Sequence, residues 1–251
     1  MTGTTAERPE PVDILAFGPH PDDVELCAGG TILKAVDAGY RCVIVDLTRG
    51  EAGSRGTPEL RAQESAAASE LLGLVGRENL GLPDGGLMVR PDMESLVVDA
   101  VRRWRPRIIL SPCREDRHPD HETAAELVRR AYYGATIGNG PRGTLPAHRP
   151  DALIEYYGHL EPEPSFIVDV SDVWQRRLEV AFCYASQFGR EGDAGPTTNI
   201  ASPEFSRRME SRFLYWGSKI GVEYGEPFRV DRQVPMDDMV ATFRKRGNAV
   251  L

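Results

Sequence analysis

ILAFGPHPDDVELCAGG, Ile14 to Gly30, changes character halfway along its length. A smooth apolar run stops at Gly18-Pro19. One imidazole, a proline and two adjacent carboxylates follow, and the chain then takes on helical spacing. The apolar piece, Val12 to Phe17, has the length and composition of a strand buried on both faces. From Glu25 to Ala38 apolar positions recur at helical spacing, and Gly39 stops the helix. Two acids and an imidazole therefore stand where a buried strand gives way to a helix.

The same alternation extends outward. Arg41 to Leu47 (RCVIVDL) reads as a second strand and Pro58 to Leu72 as an Ala/Glu-rich helix. A short apolar piece near Leu80 and Leu82 is a third strand, Met93 to Trp104 a helix, and Arg107 to Leu110 (RIIL) another buried strand. Strict strand–helix alternation implies right-handed βαβ units: an α/β, Rossmann-like, mostly parallel sheet flanked by helices. Past residue 135 the pattern loosens. GNGPRGTLPAHRP is a Gly/Pro-rich loop. Ala152 to Tyr157 and Phe166 to Val170 read as strands, and Val173 to Ser186 as a helix. A polar loop, REGDAGPTTN, then precedes a long helix from Pro203 to about Ile220. With no repeat and no linker poor in apolar residues, residues 12–251 are expected to form one domain with a modified C-terminal part. Residues 1–11 are expected to be disordered or extended.

Composition narrows the function classes. Against 30 basic residues stand 38 acidic ones, a net charge of −8, which argues against a general nucleic-acid binder. Three of the four cysteines (Cys27, Cys42, Cys113 and Cys183) lie in apolar segments, and none forms a CxxC pair; buried reduced thiols and a cytoplasmic protein are expected. The polar N-terminus has no apolar core for a signal peptide, and no stretch is long enough to span a bilayer.

In open α/β sheets, ligands bind beyond the carboxyl ends of the strands. His20-Pro21-Asp22-Asp23 falls there after the first strand, and Glu115-Asp116-Arg117-His118-Pro119-Asp120-His121 after RIIL. These two clusters hold three of the five histidines. His20 and Asp23 are three apart, as are His118 and His121, and in a helical first turn that spacing puts side chains on one face. Either cluster alone could cap a helix. Together they supply the imidazole and carboxylate donors that suit zinc, whose catalytic sites keep three protein ligands and a position for water. Spacing does not choose between His118 and His121. Neighbouring Asp22 and Asp23 diverge in a regular turn, so one can ligate while the other acts as a base. A two-metal phosphoesterase would need more carboxylates than these, and a nucleotide-binding module would need a G-x-G-x-x-G or P-loop that is missing.

GPHPDDVE together with EDRHPDH resembles the LmbE-like, PIG-L family of zinc-dependent N-acetylglucosaminyl deacetylases. The bacillithiol-biosynthesis branch is the nearest likeness, through DLTRGEAGSRGTPELRAQE (Asp46 to Glu64), NLGLPDGGL (Asn79 to Leu87) and EVAFCYASQF (Glu179 to Phe188). The resemblance implies one zinc per chain on His20, Asp23 and His121, with Asp22 as general base. It makes His118 the group that stabilises the developing charge or protonates the leaving amine, with Asp120 orienting it. It places Arg61 and Arg149 on the substrate, opposite the carboxylates of an N-acetylglucosaminyl malate, with Glu51 and Arg55 in a Gly-rich loop over the site. Mycothiol-type or chitobiose-type substrates are the alternative. Some relatives use a tyrosine as a further oxyanion donor where this chain has Phe205. Trimers or hexamers are the assemblies the family implies.

Overall fold

The computed structural model describes residues 8–140, 142–188, 196, 198–202 and 204–243. Residues 1–7, most of the 190–199 loop and the expected helix start at Pro203 lie outside the described residues. The first half follows the alternation in the sequence: β1 (Ile14–Gly18), α1 (Asp23–Asp37), β2 (Cys42–Thr48), α2 (Pro58–Leu72), β3 (Gly76–Leu82), α3 (Pro91–Trp104), β4 (Ile108–Pro112) and α4 (Pro119–Gly134). There follow β5 (Ala152–Tyr156), β6 (Phe166–Asp169), a 3-10 turn at Ser171–Val173, α5 (Trp174–Phe182), α6 (Phe205–Ile220), β7 (Gly225–Arg229) and a short α7 (Met239–Thr242).

One seven-stranded sheet runs in the order β3-β2-β1-β4-β5-β7-β6. The five strands from β3 to β5 are parallel, whereas β7 pairs antiparallel with both β5 and β6. This is the mostly parallel sheet with a modified C-terminal part. Alternation along β1 divides two cores: Ile14 and Ala16 join the α1, α2, α5 and α6 side, while Leu15 and Phe17 face α3 and α4. β1 is therefore apolar without a break, as a strand covered on both faces must be. The chain builds outward from β1 through β2 to β3, then crosses back to place β4 on its other side. That reversal opens a crevice at the carboxyl ends of β1 and β4.

Two expectations shift. The helix expected over Val173–Ser186 ends at Phe182. The chain leaves it because Tyr184 sends its hydroxyl to buried Glu25 (2.7 Å), while the Ser186 N–H and hydroxyl both donate to Glu64 (2.7 Å each). Strand β7 (GEPFR) carries no strand signal in the sequence. Its central proline and flanking charges read as a loop, and only pairing with β5 and β6 makes it a strand. Among the described residues no helix is long and apolar enough to cross a membrane. All four cysteines are free, three of them buried.

Candidate active site and metal centre

The loop leaving β1 is tightly made. The Pro19 carbonyl accepts from both the Thr48 N–H (3.1 Å) and hydroxyl (3.0 Å), tying it to the end of β2. Asp22 then caps α1 in the left-handed region, at φ 118°, where a non-glycine residue is strained. This turn drives the two neighbouring carboxylates apart. Asp22 goes to Arg61 (Oδ2 to Nη2, 3.1 Å), whose guanidinium also donates to the Pro21 carbonyl. Asp23 turns to the histidines. On the facing loop, His118 caps α4, accepting the Asp120 N–H at its Nδ1 (3.2 Å), and Pro119 supplies the pre-set first helical residue. His121 is thereby placed one turn in, toward Asp23.

The Asp23 carboxylate lies between two rings, with Oδ2 3.1 Å from His20 Nδ1 and Oδ1 3.4 Å from His121 Nε2. Donor atoms of His20, Asp23 and His121 all lie within 4.8 Å of one another. Each ring is backed by carboxylates at its other nitrogen. Asp84 Oδ1 is 3.1 Å and Asp120 Oδ2 3.5 Å from His20 Nε2, and Asp116 Oδ2 is 3.3 Å from His121 Nδ1. Carboxylates behind metal-binding imidazoles fix ring orientation and raise ligand basicity.

The electrostatics fit a cation. Burial would lower the His20 pKa, yet hydrogen bonds to Asp120, Asp23 and Asp84 push it up to about 12. Burial likewise opposes protonation of His121, but the Asp23 charge and the Asp116 contact push it up to about 10. Four carboxylates thus demand positive charge at one place. Protons on the rings supply it in the bare protein, and a divalent ion on the N/O donor set would displace them. Asp22 differs: burial, only partly offset by Arg61, raises its pKa to about 7, poised for proton transfer near neutrality. Burial and the charges of His121 and His20 lower the His118 pKa, so its ring is neutral. Because its Nδ1 accepts the Asp120 N–H, the His118 proton sits on Nε2, making that atom a hydrogen-bond donor.

Beside this centre opens a cavity of about 530 Å³, lined in part by Asp23, His121, His159, Phe205, Arg117 and Arg208. A larger cavity of about 630 Å³, between α2 and the β2–β3 edge, touches none of the histidines, so volume alone does not find the site.

The structure brings His20, Asp22, Asp23, His118, Asp120 and His121 together. It is Asp120's backbone N–H that meets His118; its carboxylate accepts from the Gly85 N–H (2.7 Å) and faces His20. Other expected contacts are redistributed. Arg61 is buried and ion-paired with Asp22, so its charge is met within the protein. Arg149 is exposed and precedes β5, where Asp151 and His148 bond to Arg107 and Pro106 before β4. That is the amino end of the sheet, opposite the crevice, because β4 and β5 are parallel. Arg55 donates to the carbonyls of Ser186 (3.1 Å) and Pro196 (2.9 Å). Glu51 accepts from the N–H groups of Arg49 (3.1 Å) and Asp84 (3.0 Å), which holds the Asp84 loop against the centre. The sequence pattern singles out none of Asp84, Asp116 and His159, although Asp84 and Asp116 stand inside the quoted motifs.

A model of the PIG-L family, GlcNAc-PI de-N-acetylase, matches residues 15–132. The chain is 30% identical to diacetylchitobiose deacetylase of Thermococcus kodakarensis, with 86% of this chain and 82% of that protein covered. It is 28% identical to a probable N-acetyl-alpha-D-glucosaminyl L-malate deacetylase 2 of Bacillus anthracis, covering 74% of this chain and 89% of that one. Among solved structures, conserved protein TT1542 from Thermus thermophilus superposes with a TM-score of 0.83 at 38% identity, covering 91% of this chain and 98% of that one. The family-model match spans both histidine loops, and the likeness to these relatives runs through most of the chain: the protein belongs to the PIG-L (GlcNAc-PI de-N-acetylase) family.

Proposed function

We propose that the protein is a zinc-dependent hydrolase that removes the acetyl group from an N-acetylglucosaminyl conjugate with an anionic aglycone, N-acetylglucosaminyl malate. The observation that carries this reading is the division of labour between Asp22 and Asp23: one carboxylate within a His/Asp donor set, its neighbour held beside Arg61 with a pKa of about 7. Bound to His20, Asp23 and His121, zinc supplies Lewis-acid polarisation of an acyl oxygen and lowers the pKa of a water from 15.7 toward ~7.

The chain's own groups do the rest. Asp22 takes the proton of the attacking water. The His118 Nε2–H donates to the oxyanion, a contact worth on the order of 3 kcal/mol for such donors. Being neutral, His118 has no spare proton for the leaving nitrogen, so protonated Asp22 delivers it as the C–N bond breaks. Acetate and a free amine result.

The anionic aglycone is supported by two cavity-lining arginines. Among the described residues, Arg117 has no ion-pair partner and the Arg208 side chain bonds only to the neutral Asn199 and Ser202. A guanidinium without a counter-charge suits a carboxylate. The free cysteines suit a cytoplasmic enzyme.

Acetate release from zinc-loaded protein tests this. Turnover of N-acetylglucosaminyl malate should exceed that of N-acetylglucosamine and diacetylchitobiose, and Arg117→Ala or Arg208→Ala should lower kcat/KM about tenfold for the malate glycoside alone. Equal rates on all three would remove the malate assignment, and no release from any would remove the deacetylase reading.

A further inference from the structure

His159 follows β5 and belongs to neither histidine motif. Its backbone N–H donates to Asp116 Oδ2 (2.9 Å) and its ring Nδ1 lies 2.8 Å from Asp116 Oδ1. An ionised carboxylate only accepts, so the ring proton sits on Nδ1 and Nε2 carries a lone pair. The same carboxylate also accepts the His118 N–H at Oδ1 (2.9 Å), so its oxygens face donors. The ring lines the 530 Å³ cavity, and its Nε2 has no hydrogen bond among the described residues. Its centroid is 5.1 Å from the His121 ring and 6.4 Å from His118, within the width of one sugar ring of the centre. The turn beneath it is closely packed: a Cβ at Gly158 would lie 3.0 Å from His121 Nδ1 and overlap Asp116.

On the cavity lining, the His159 Nε2 has no hydrogen bond among the described residues. Arg117, Arg208 and Arg212 only donate. Glu161 already accepts from Arg212 and Trp216, and Asn199 Oδ1 from Arg208. Sugar hydroxyls need acceptors for their protons, and a site built to bond a hydroxyl discriminates against the analogue lacking it.

We propose that His159 is a substrate-binding residue whose Nε2, aimed by the Asp116 clamp, accepts a hydrogen bond from a hydroxyl of the N-acetylglucosaminyl ring. This rests on the deacetylase reading for the identity of the sugar. Phe205, on the same cavity, has no polar atom to share the task.

A binding cycle tests it. In the Asp22→Asn background, which keeps the amide intact, ligand-observed NMR measures the affinity of zinc-loaded protein for methyl N-acetylglucosaminide and its 3-, 4- and 6-deoxy analogues. One deoxy analogue should bind about five- to tenfold more weakly than the parent glycoside. That difference should vanish with His159→Phe and partly return with His159→Gln, which restores a carbonyl acceptor. Deoxy penalties identical in all three proteins, or no binding of the parent glycoside, would overturn the proposal. So would a loss of zinc content in His159→Phe, since the ring would then be acting through Asp116 on His121. Wild-type acetate release is measured alongside: its absence, with the cycle intact, would sink the deacetylase reading and leave the contact standing.

Discussion

Replacing Arg61 with Gln leaves the Asp22 carboxylate in place and removes the positive charge beside it. The two groups are 3.1 Å apart and each about 5% exposed at the side chain. At an effective dielectric near 20, that separation corresponds to roughly 5 kcal/mol of attraction, a ceiling of about 4 pKa units. Water entering the vacated space restores part of it, and a rise of about 2 units falls within the range seen for carboxylates that lose a guanidinium neighbour. Losing the cation disfavours the ionised form, so the Asp22 pKa moves upward from about 7. A base at 7 is half ionised at pH 7; at 9 it is ionised about one time in a hundred, a roughly 50-fold loss of kcat/KM. The loss should be recovered as pH rises. The assay is the pH dependence of kcat/KM for zinc-loaded wild type, Arg61→Gln and Arg61→Lys, the lysine keeping the charge and shifting the acid limb less. An acid limb that stays put while the aglycone preference collapses would return Arg61 to the substrate and refute its role beside the base.

Asp84→Asn should weaken zinc retention about 10- to 100-fold in a chelator competition, because it takes the negative charge from behind His20 Nε2; unchanged affinity would remove Asp84 from the centre. His121→Ala should lose the metal whereas Asp22→Asn and His118→Ala keep it and lose most turnover, with zinc content and acetate release as paired readouts. At Gly50, φ is 70° and a Cβ would overlap the Arg61 guanidinium, so Gly50→Ala should cost about 1–3 kcal/mol in a urea titration and shift the acid limb like Arg61→Gln. Arg177 and Glu226 form a fully buried pair, 3.2 Å apart, in which Glu226 also accepts from the N–H groups of Gly30 and Thr31. Arg177→Met should therefore cost about 3–5 kcal/mol by stranding that carboxylate, and a change under about 1 kcal/mol would mean the pair carries no net stability.

The sequence by itself determined what depends on neighbours in the chain. Apolar runs and helical spacing placed the first four strands and the three helices between them, because burial on one or two faces imposes its period locally. The i, i+3 spacing of His118/His121 announced a polar first turn, whereas His20 lies outside α1 and meets Asp23 across the left-handed Asp22 rather than along a helical turn. Tertiary structure decided the partners that arrive from far along the chain. Arg61 is an internal counter-charge only because α2 folds over the Asp22 turn, whose left-handed backbone no local pattern discloses. Asp84 backs His20, and His159 clamps Asp116, across loops whose approach is set by parallel strand order. The early end of α5 and the existence of β7 have the same origin: in Tyr184 reaching Glu25, and in a proline-bearing segment pairing with two strands, long-range contacts override local propensity. Arg149 shows the converse. The family resemblance implies a substrate contact for it, but it precedes a strand parallel to β4 and so emerges at the amino end of the sheet, opposite the crevice.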